Sequence, residues 1–187
     1  MRELLEIFDG PVSAELIRER GEAALTRRIA FGRMVARISS ELMPARADEV
    51  DGLVLSALAQ IGRYADADRA FVFDITEDGR SVSNTHEWCA PGVSPQAHNL
   101  QGVGFEGSLF CQIIKRLEIV DFPDVSLLPE CARQDRELLQ SQGIQSTLAA
   151  PMVVNGRLLG FVGLDSVRCR RQWSGEEKTL MSLVGNA

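Results

Sequence analysis

Asn84, His86 and Trp88 are the first residues in this chain whose types and spacing suggest chemistry. In the run Ser81-Val-Ser-Asn-Thr-His-Glu-Trp-Cys89 they recur at every second position, so a strand would bring them, with Val82, to one face. An imidazole beside an amide and an indole suits a pocket with an aromatic wall and hydrogen-bonding groups. The plainer alternative is that they pack beneath the loop that follows. Thr85 and Glu87 fall on the opposite face and are expected to pair with surface Arg or Lys. Cys111 lies four residues before Lys115 in a predicted helix, where a cation lowers a thiol pKa. Thiol chemistry would require the fold to gather Cys89, Cys111 and Cys131 at one pocket mouth.

Other motifs carry less. His98, in Gln96-Ala-His-Asn-Leu100, has no second haem ligand beside it and reads as a solvated loop histidine. The glycines of Gly102-Val-Gly-Phe-Glu-Gly107 have dinucleotide-like spacing, but no parallel strand precedes them to seat a phosphate. The run Arg168-Cys-Arg-Arg171 reads as a solvated loop. Neither a catalytic constellation nor a metal-ligand set emerges, and the identity of any cofactor is left open. Four widely spaced cysteines without a C-x-x-C pair argue for reduced thiols.

A net charge of −6 over 187 residues argues against nucleic acid as a direct partner. No apolar run reaches the ~20 residues of a membrane span, and the acidic start is no signal peptide. The expectation is a cytoplasmic protein without direct membrane insertion. With 45% hydrophobic residues, the chain is long enough for one substantial core plus a helical extension.

The elements that must position these residues are legible in part. Two runs apolar on both faces flank Asn155-Gly156, the preferred type I′ hairpin turn, so both strands belong in mid-sheet under cover on each side. Along the second, Leu158, Gly160, Val162 and Leu164 are expected to point one way, and Leu159, Phe161, Gly163 and Asp165 the other. A second hairpin turns at Asp78-Gly79, with Phe71, Phe73 and Ile75 on one face. Before it, Phe31, Val35, Ile38 and Leu42 form one helical stripe, and Val50, Val54, Leu58 and Ile61 another that starts at an Asp48 N-cap. Residues 90–104 make a long loop, and Phe110, Ile113, Ile114 and Leu117 a short helix before a strand at 118–122. A helix over 129–142 ends at Gly143. Ser174-Gly-Glu-Glu177 is a capping box opening a final helix, on which the chain stops as if cut in mid-helix.

This order of elements resembles the GAF domain family of small-molecule-sensing modules. Three runs carry the likeness: Ala67-Asp-Arg-Ala-Phe-Val-Phe-Asp74, Ser83-Asn-Thr-His-Glu-Trp-Cys89 and Gln142-Gly-Ile-Gln-Ser-Thr-Leu-Ala-Ala-Pro-Met152. The second is similar to a subgroup in bacterial sensor histidine kinases, diguanylate cyclases and cyclic-di-GMP phosphodiesterases. The resemblance implies an α+β, profilin-like fold, with a central antiparallel sheet of five or six strands and helices on both faces. It also implies a domain over 29–187 after a connector at 1–28, a homodimer through terminal helices, and a final helix leading to a missing output domain. Ligands in the family sit between the sheet and the loop-borne helices. Asn84, His86, Trp88, Phe105, Phe110 and Cys111 are therefore the candidate contacts for an unidentified small molecule. Members that carry a bilin follow their attachment cysteine with His, whereas Gln112 follows Cys111, and the Asn-Lys-Phe-Asp-Glu signature of cyclic-nucleotide binders is missing. The expected function is sensing for an attached kinase or cyclase, not catalysis within this chain. A ligand-free dimerisation module with Phe105, Phe110 and Trp88 filling the pocket, and a thiol-dependent reductase, are the alternatives.

Overall fold

Asn155 and Gly156 take φ of 51° and 76°, the left-handed values that a type I′ turn demands. They fold β5 (Ser146–Val154) back on β6 (Arg157–Ser166). A longer loop, 76–80, joins β1 (Arg69–Ile75) to β2 (Ser81–Cys89): Gly79 N donates to the Thr76 carbonyl at 2.8 Å, so the turn centres on Glu77-Asp78, and Gly79 takes φ of 69° just after it. Two short edge strands, β3 (Val103–Gly104) and β4 (Val120–Phe122), complete a six-stranded antiparallel sheet of order β3-β2-β1-β6-β5-β4. β5 and β6 are interior strands, as their two-sided apolar pattern requires.

In this computed structural model the described residues are 48–186, Arg46, and helical positions 18, 22, 26, 29, 32–34, 36, 37 and 40. The chain divides into two units, Met1–Arg37 and Ile38–Ala187. In the first, Arg18 pairs with Glu22 one helical turn on at 4.0 Å. The stripe of Phe31, Val35, Ile38 and Leu42 lies outside the described residues.

One face of the sheet is covered by α1 (Val50–Tyr64) and α4 (Gly175–Gly185). Gly62 lets α1 close down on the sheet, since the Trp88 ring fills the space a Cβ would need. Leu58, Ile61, Leu148, Leu164, Leu180 and Met181 are almost wholly buried. The capping box holds α4: Ser174 Oγ accepts from Glu177 N at 3.2 Å, and Ser174 N donates to Glu177 Oε2 at 2.6 Å. The opposite face carries α2 (Leu109–Lys115), α3 (Arg133–Ser141) and three 3-10 turns at Ala97–Asn99, Val125–Leu127 and Glu130–Ala132.

Several expectations change in detail. Glu49, not Asp48, occupies the N-cap of α1 and makes no side-chain cap bond; its Oε2 accepts from Arg46 N at 3.2 Å. The helix expected over 129–142 begins with the Glu130–Ala132 3-10 turn, although Gly143 does take φ of 74° just past its end. The 168–171 run is exposed at Arg168, Cys169 and Arg170, as expected of a solvated loop, but its arginines are held in ion pairs. Arg168 pairs with Asp68 at 3.1 Å and Arg170 with Asp124 at 3.3 Å. Arg171 pairs with Glu177, donates to the carbonyls of Ala65 and Asp66, and lies over the Trp173 ring.

Two β-bulges alter which side chains share a face. In β2, His86 stands opposite Val72 and Asn84 opposite Phe73, so Thr85 is the extra residue. In β6, Gly160 stands opposite Met152 and Leu158 opposite Val153, leaving Leu159 as the extra one. Leu158 therefore packs with Phe161 in the core cluster, contrary to strict alternation, and Leu159 is 41% exposed.

Candidate functional site

A cavity of about 90 Å³ lies between the sheet and the α2–α3 layer. Its floor is the aromatic patch that alternation places on one side of β1 and β6. Phe73 and Phe161 stack with ring centroids 4.9 Å apart, Phe105 stacks on Phe161 at 5.6 Å, and Phe110 tilts against Phe161 at 5.1 Å. Gly104, Gln134 and Leu138, the exposed lining residues, mark its mouth.

The bulge at Thr85 decides which side chains of β2 reach this cavity. Asn84 and Glu87 line it, and His86 and Trp88 do not. The expectation that Asn84, His86 and Trp88 share a face fails, because one extra residue inverts the alternation beyond Asn84. His86 meets Asp51 of α1 at 3.3 Å, and Trp88 packs on Gly62 with Arg63 over its ring at 5.7 Å. Glu87, expected to pair with a surface Arg or Lys, turns its side chain inward: it accepts from Gln96 N at 2.7 Å and Ala97 N at 3.0 Å, and lies 4.0 Å from the Nε of buried Arg69. Of the other sequence candidates, Phe105 and Phe110 line the cavity, whereas Cys111 is buried in α2 outside the lining.

The polar end was not anticipated. Arg69, Thr147 and Asp165 stand in register across β1, β5 and β6, all nearly closed to solvent. Arg69 donates to the carbonyls of Ser94 and Gln142, each at 3.2 Å, and thereby ties the 90–104 loop and the end of α3 to the sheet. Its Nη1 has no partner, and neither has Asp165 Oδ1 or Asn84 Oδ1. Such buried orphans are uncommon and costly unless something outside the protein meets them. Burial pushes the Asp165 carboxyl from its ordinary 3.8 up to about 7; the Thr147 hydroxyl and Arg69 pull it down, and Glu87 and Asp68 push it further up. The signal available in the sequence was a lone carboxylate following the two-sided apolar run 158–164.

Asp135, also in the lining, accepts from Leu109 N at 2.8 Å and Phe110 N at 3.4 Å, fixing the start of α2. Burial, then the Glu87 carboxylate, raises the Cys89 thiol to about 11, which leaves it protonated and a poor nucleophile at neutral pH. Among the described residues no group of three or more His, Cys, Asp or Glu is placed to hold a metal ion, and no helix is long and apolar enough to cross a membrane.

A family model described as "GAF domain" matches residues 49–187. The methanogenesis regulatory histidine kinase FilI of Methanothrix harundinacea is 32% identical over an alignment of 145 residues that covers 74% of this chain. The match spans only 16% of that kinase. Among solved structures, the GAF domain of a phosphoenolpyruvate-protein phosphotransferase from Coxiella burnetii superposes with a TM-score of 0.66 at 17% identity, covering 84% of this chain and 89% of the other. The far-red absorbing dark state of a protein with bound biliverdin gives the same TM-score at 16% identity, covering 84% and 93%. At such identities the likeness is one of fold. A cavity of about 90 Å³ is too small for a linear tetrapyrrole, since one of ~150 Å³ holds a single benzene, and Cys111 is 2% exposed.

Proposed function

The chain belongs to the GAF domain family, and from that premise we propose that it is the small-molecule-sensing regulatory part of a bacterial signal transduction protein. The whole protein is read as a cytoplasmic, homodimeric sensor histidine kinase or diguanylate cyclase, with this domain relaying ligand state to its output through terminal helices. It performs no catalysis itself and takes neither nucleic acid nor membrane as a direct partner. The observation that carries the reading is the cavity with two buried, unpartnered acceptors, Asn84 Oδ1 and Asp165 Oδ1, in its lining.

In this reading Asn84, Phe105 and Phe110 touch the ligand, and Cys111 supports them from behind. His86 and Trp88 belong to the relay, because they join β2 to α1. A ligand regulates only by binding two arrangements of those helices with different affinity. Native mass spectrometry of the purified chain, before and after gentle denaturation, tests the proposal: a dimer carrying a releasable small mass is expected. A chain that brings nothing from the cell, and whose unfolding temperature no metabolite panel moves, would sink the sensing role. The second reading, a ligand-free dimerisation module, would then stand, favoured by the mutual packing of Phe105, Phe110 and Phe161.

A further inference from the structure

The charge lining the cavity is one-sided. Glu87, Asp135 and Asp165 contribute carboxylates, and the lining contains no Arg, Lys or His among the described residues. Two of the three carboxylates are engaged, Asp135 by the α2 amides and Glu87 by the Gln96 and Ala97 amides and by Arg69. Asp165 differs, because its Oδ1 is without a partner in a residue only 4% exposed. Arg69, opposite Asp165 in register, turns Nε and Nη2 to the Ser94 and Gln142 carbonyls, makes no ion pair with Asp165 although its Nη1 is free of hydrogen bonds, and does not line the cavity. Asp68 also faces this end, and its carboxylate is held by the Val167 and Arg168 amides and the Arg168 guanidinium. Carboxylates thus outnumber guanidinium groups around Asp165, and the group it lacks is a proton donor bearing positive charge.

The rest of the wall agrees. Phe71, Phe73, Phe105, Phe110 and Phe161 supply hydrocarbon surface and ring faces that attract a cation. Asn84 stands opposite Phe73 and Asp165 opposite Arg69, four residues or about 13 Å apart along β1, so the donor that meets Asp165 is not the group that meets Asn84, which faces the far end of the ligand. We propose that the cavity takes a small organic ammonium, its N–H groups donating to the Asp165 carboxylate and its hydrocarbon part lying against the phenylalanine wall. This deepens, and rests on, the reading of the cavity as the sensing site.

The test is an amide NMR titration of the whole chain with n-propylammonium, 1-propanol and propionate, which are similar in size and differ in charge. At about pH 8, above the raised value of about 7 for Asp165, both its carboxyl and the ammonium are ionised. The expected result is shifts centred on Thr147 and Asp165, with n-propylammonium bound about tenfold more tightly than 1-propanol and propionate not bound. Asp165→Asn should bring the ammonium down to the level of the alcohol; if that variant does not fold, the three probes on the unaltered chain decide by themselves. An alcohol or a carboxylate that binds as tightly overturns the ammonium assignment and leaves the cavity standing as a ligand site. Shifts confined to exposed carboxylates such as Glu106 and Glu137 reveal mere attraction to an acidic surface and overturn it too. Cavity amides unmoved by all three probes mean that water alone meets Asp165, and the cavity reading is then judged by the bound mass.

Discussion

Under α1 and α4 the sheet presents Leu148, Val162 and Leu164 to Leu58, Ile61, Leu180 and Met181, all almost closed to solvent, with the α1 backbone pressed so near that Gly62 has no room for a methyl group. Under α2 and α3 the same strands present aromatic rings around a cavity, and three of the five buried side-chain polar atoms left unpartnered among the described residues belong to Arg69, Asn84 and Asp165 on that side. A face shaped only for stability would resemble the first. The contrast teaches that stability and recognition are divided between the two sides of one set of strands, so substitutions on either side should have different signatures.

The largest effect is expected under the helices. Leu164→Ala leaves a void that the packed α1 and α4 cannot fill, and should cost about 3–5 kcal/mol in urea unfolding. A cost below about 1 kcal/mol would mean that this side is as loose as the other.

On the cavity side the next largest effect depends on pH. Asp165 releases its proton near 3.8 in the unfolded chain and near 7 in the folded one. Between those values the folded form holds the extra proton, so stability falls as pH rises from about 4 to about 7 and is level above, by roughly 4 kcal/mol at most. Asp165→Asn should flatten that part of the unfolding free energy measured against pH; a slope that survives the substitution assigns the proton elsewhere.

Gly62→Ala should cost about 2 kcal/mol, because the new methyl group meets the Trp88 ring, and it should shift Trp88 fluorescence. No spectral change would show that the ring has room to move. The smallest effect belongs to the cavity: Asn84→Leu replaces an unpartnered acceptor by hydrocarbon of similar size, and should alter stability by less than about 0.5 kcal/mol or raise it. A clear loss would reveal a hidden structural partner for Asn84 and blur the division between the faces.

The elements written in local chemistry were readable from sequence. Asn155-Gly156, Gly143 and the Ser174–Glu177 box each announce a backbone conformation by residue type, and each is found in place. The two-sided apolar runs likewise required interior strands, which the strand order supplies. The site was less legible, since assigning side chains to faces counts every residue, and a bulge adds one that the count cannot see. Phe71 and Phe73 precede the bulges and were placed correctly, whereas His86, Glu87 and Trp88 follow one and were exchanged. Arg69 and Asp165 needed a further step, the register of three strands joined through separate turns, which no local pattern encodes.

The β2 bulge has a consequence for how this chain tolerates changes of length. In a regular strand the loss of one residue turns every later side chain over, a frameshift in space. Here Thr85 is the supernumerary residue, unpaired between the His86–Val72 and Asn84–Phe73 positions. Its removal would straighten the strand and leave Asn84 and Glu87 toward the cavity, with His86 and Trp88 toward α1. The strand carries a spare place, and at that one position its length and the addresses of its side chains are independent.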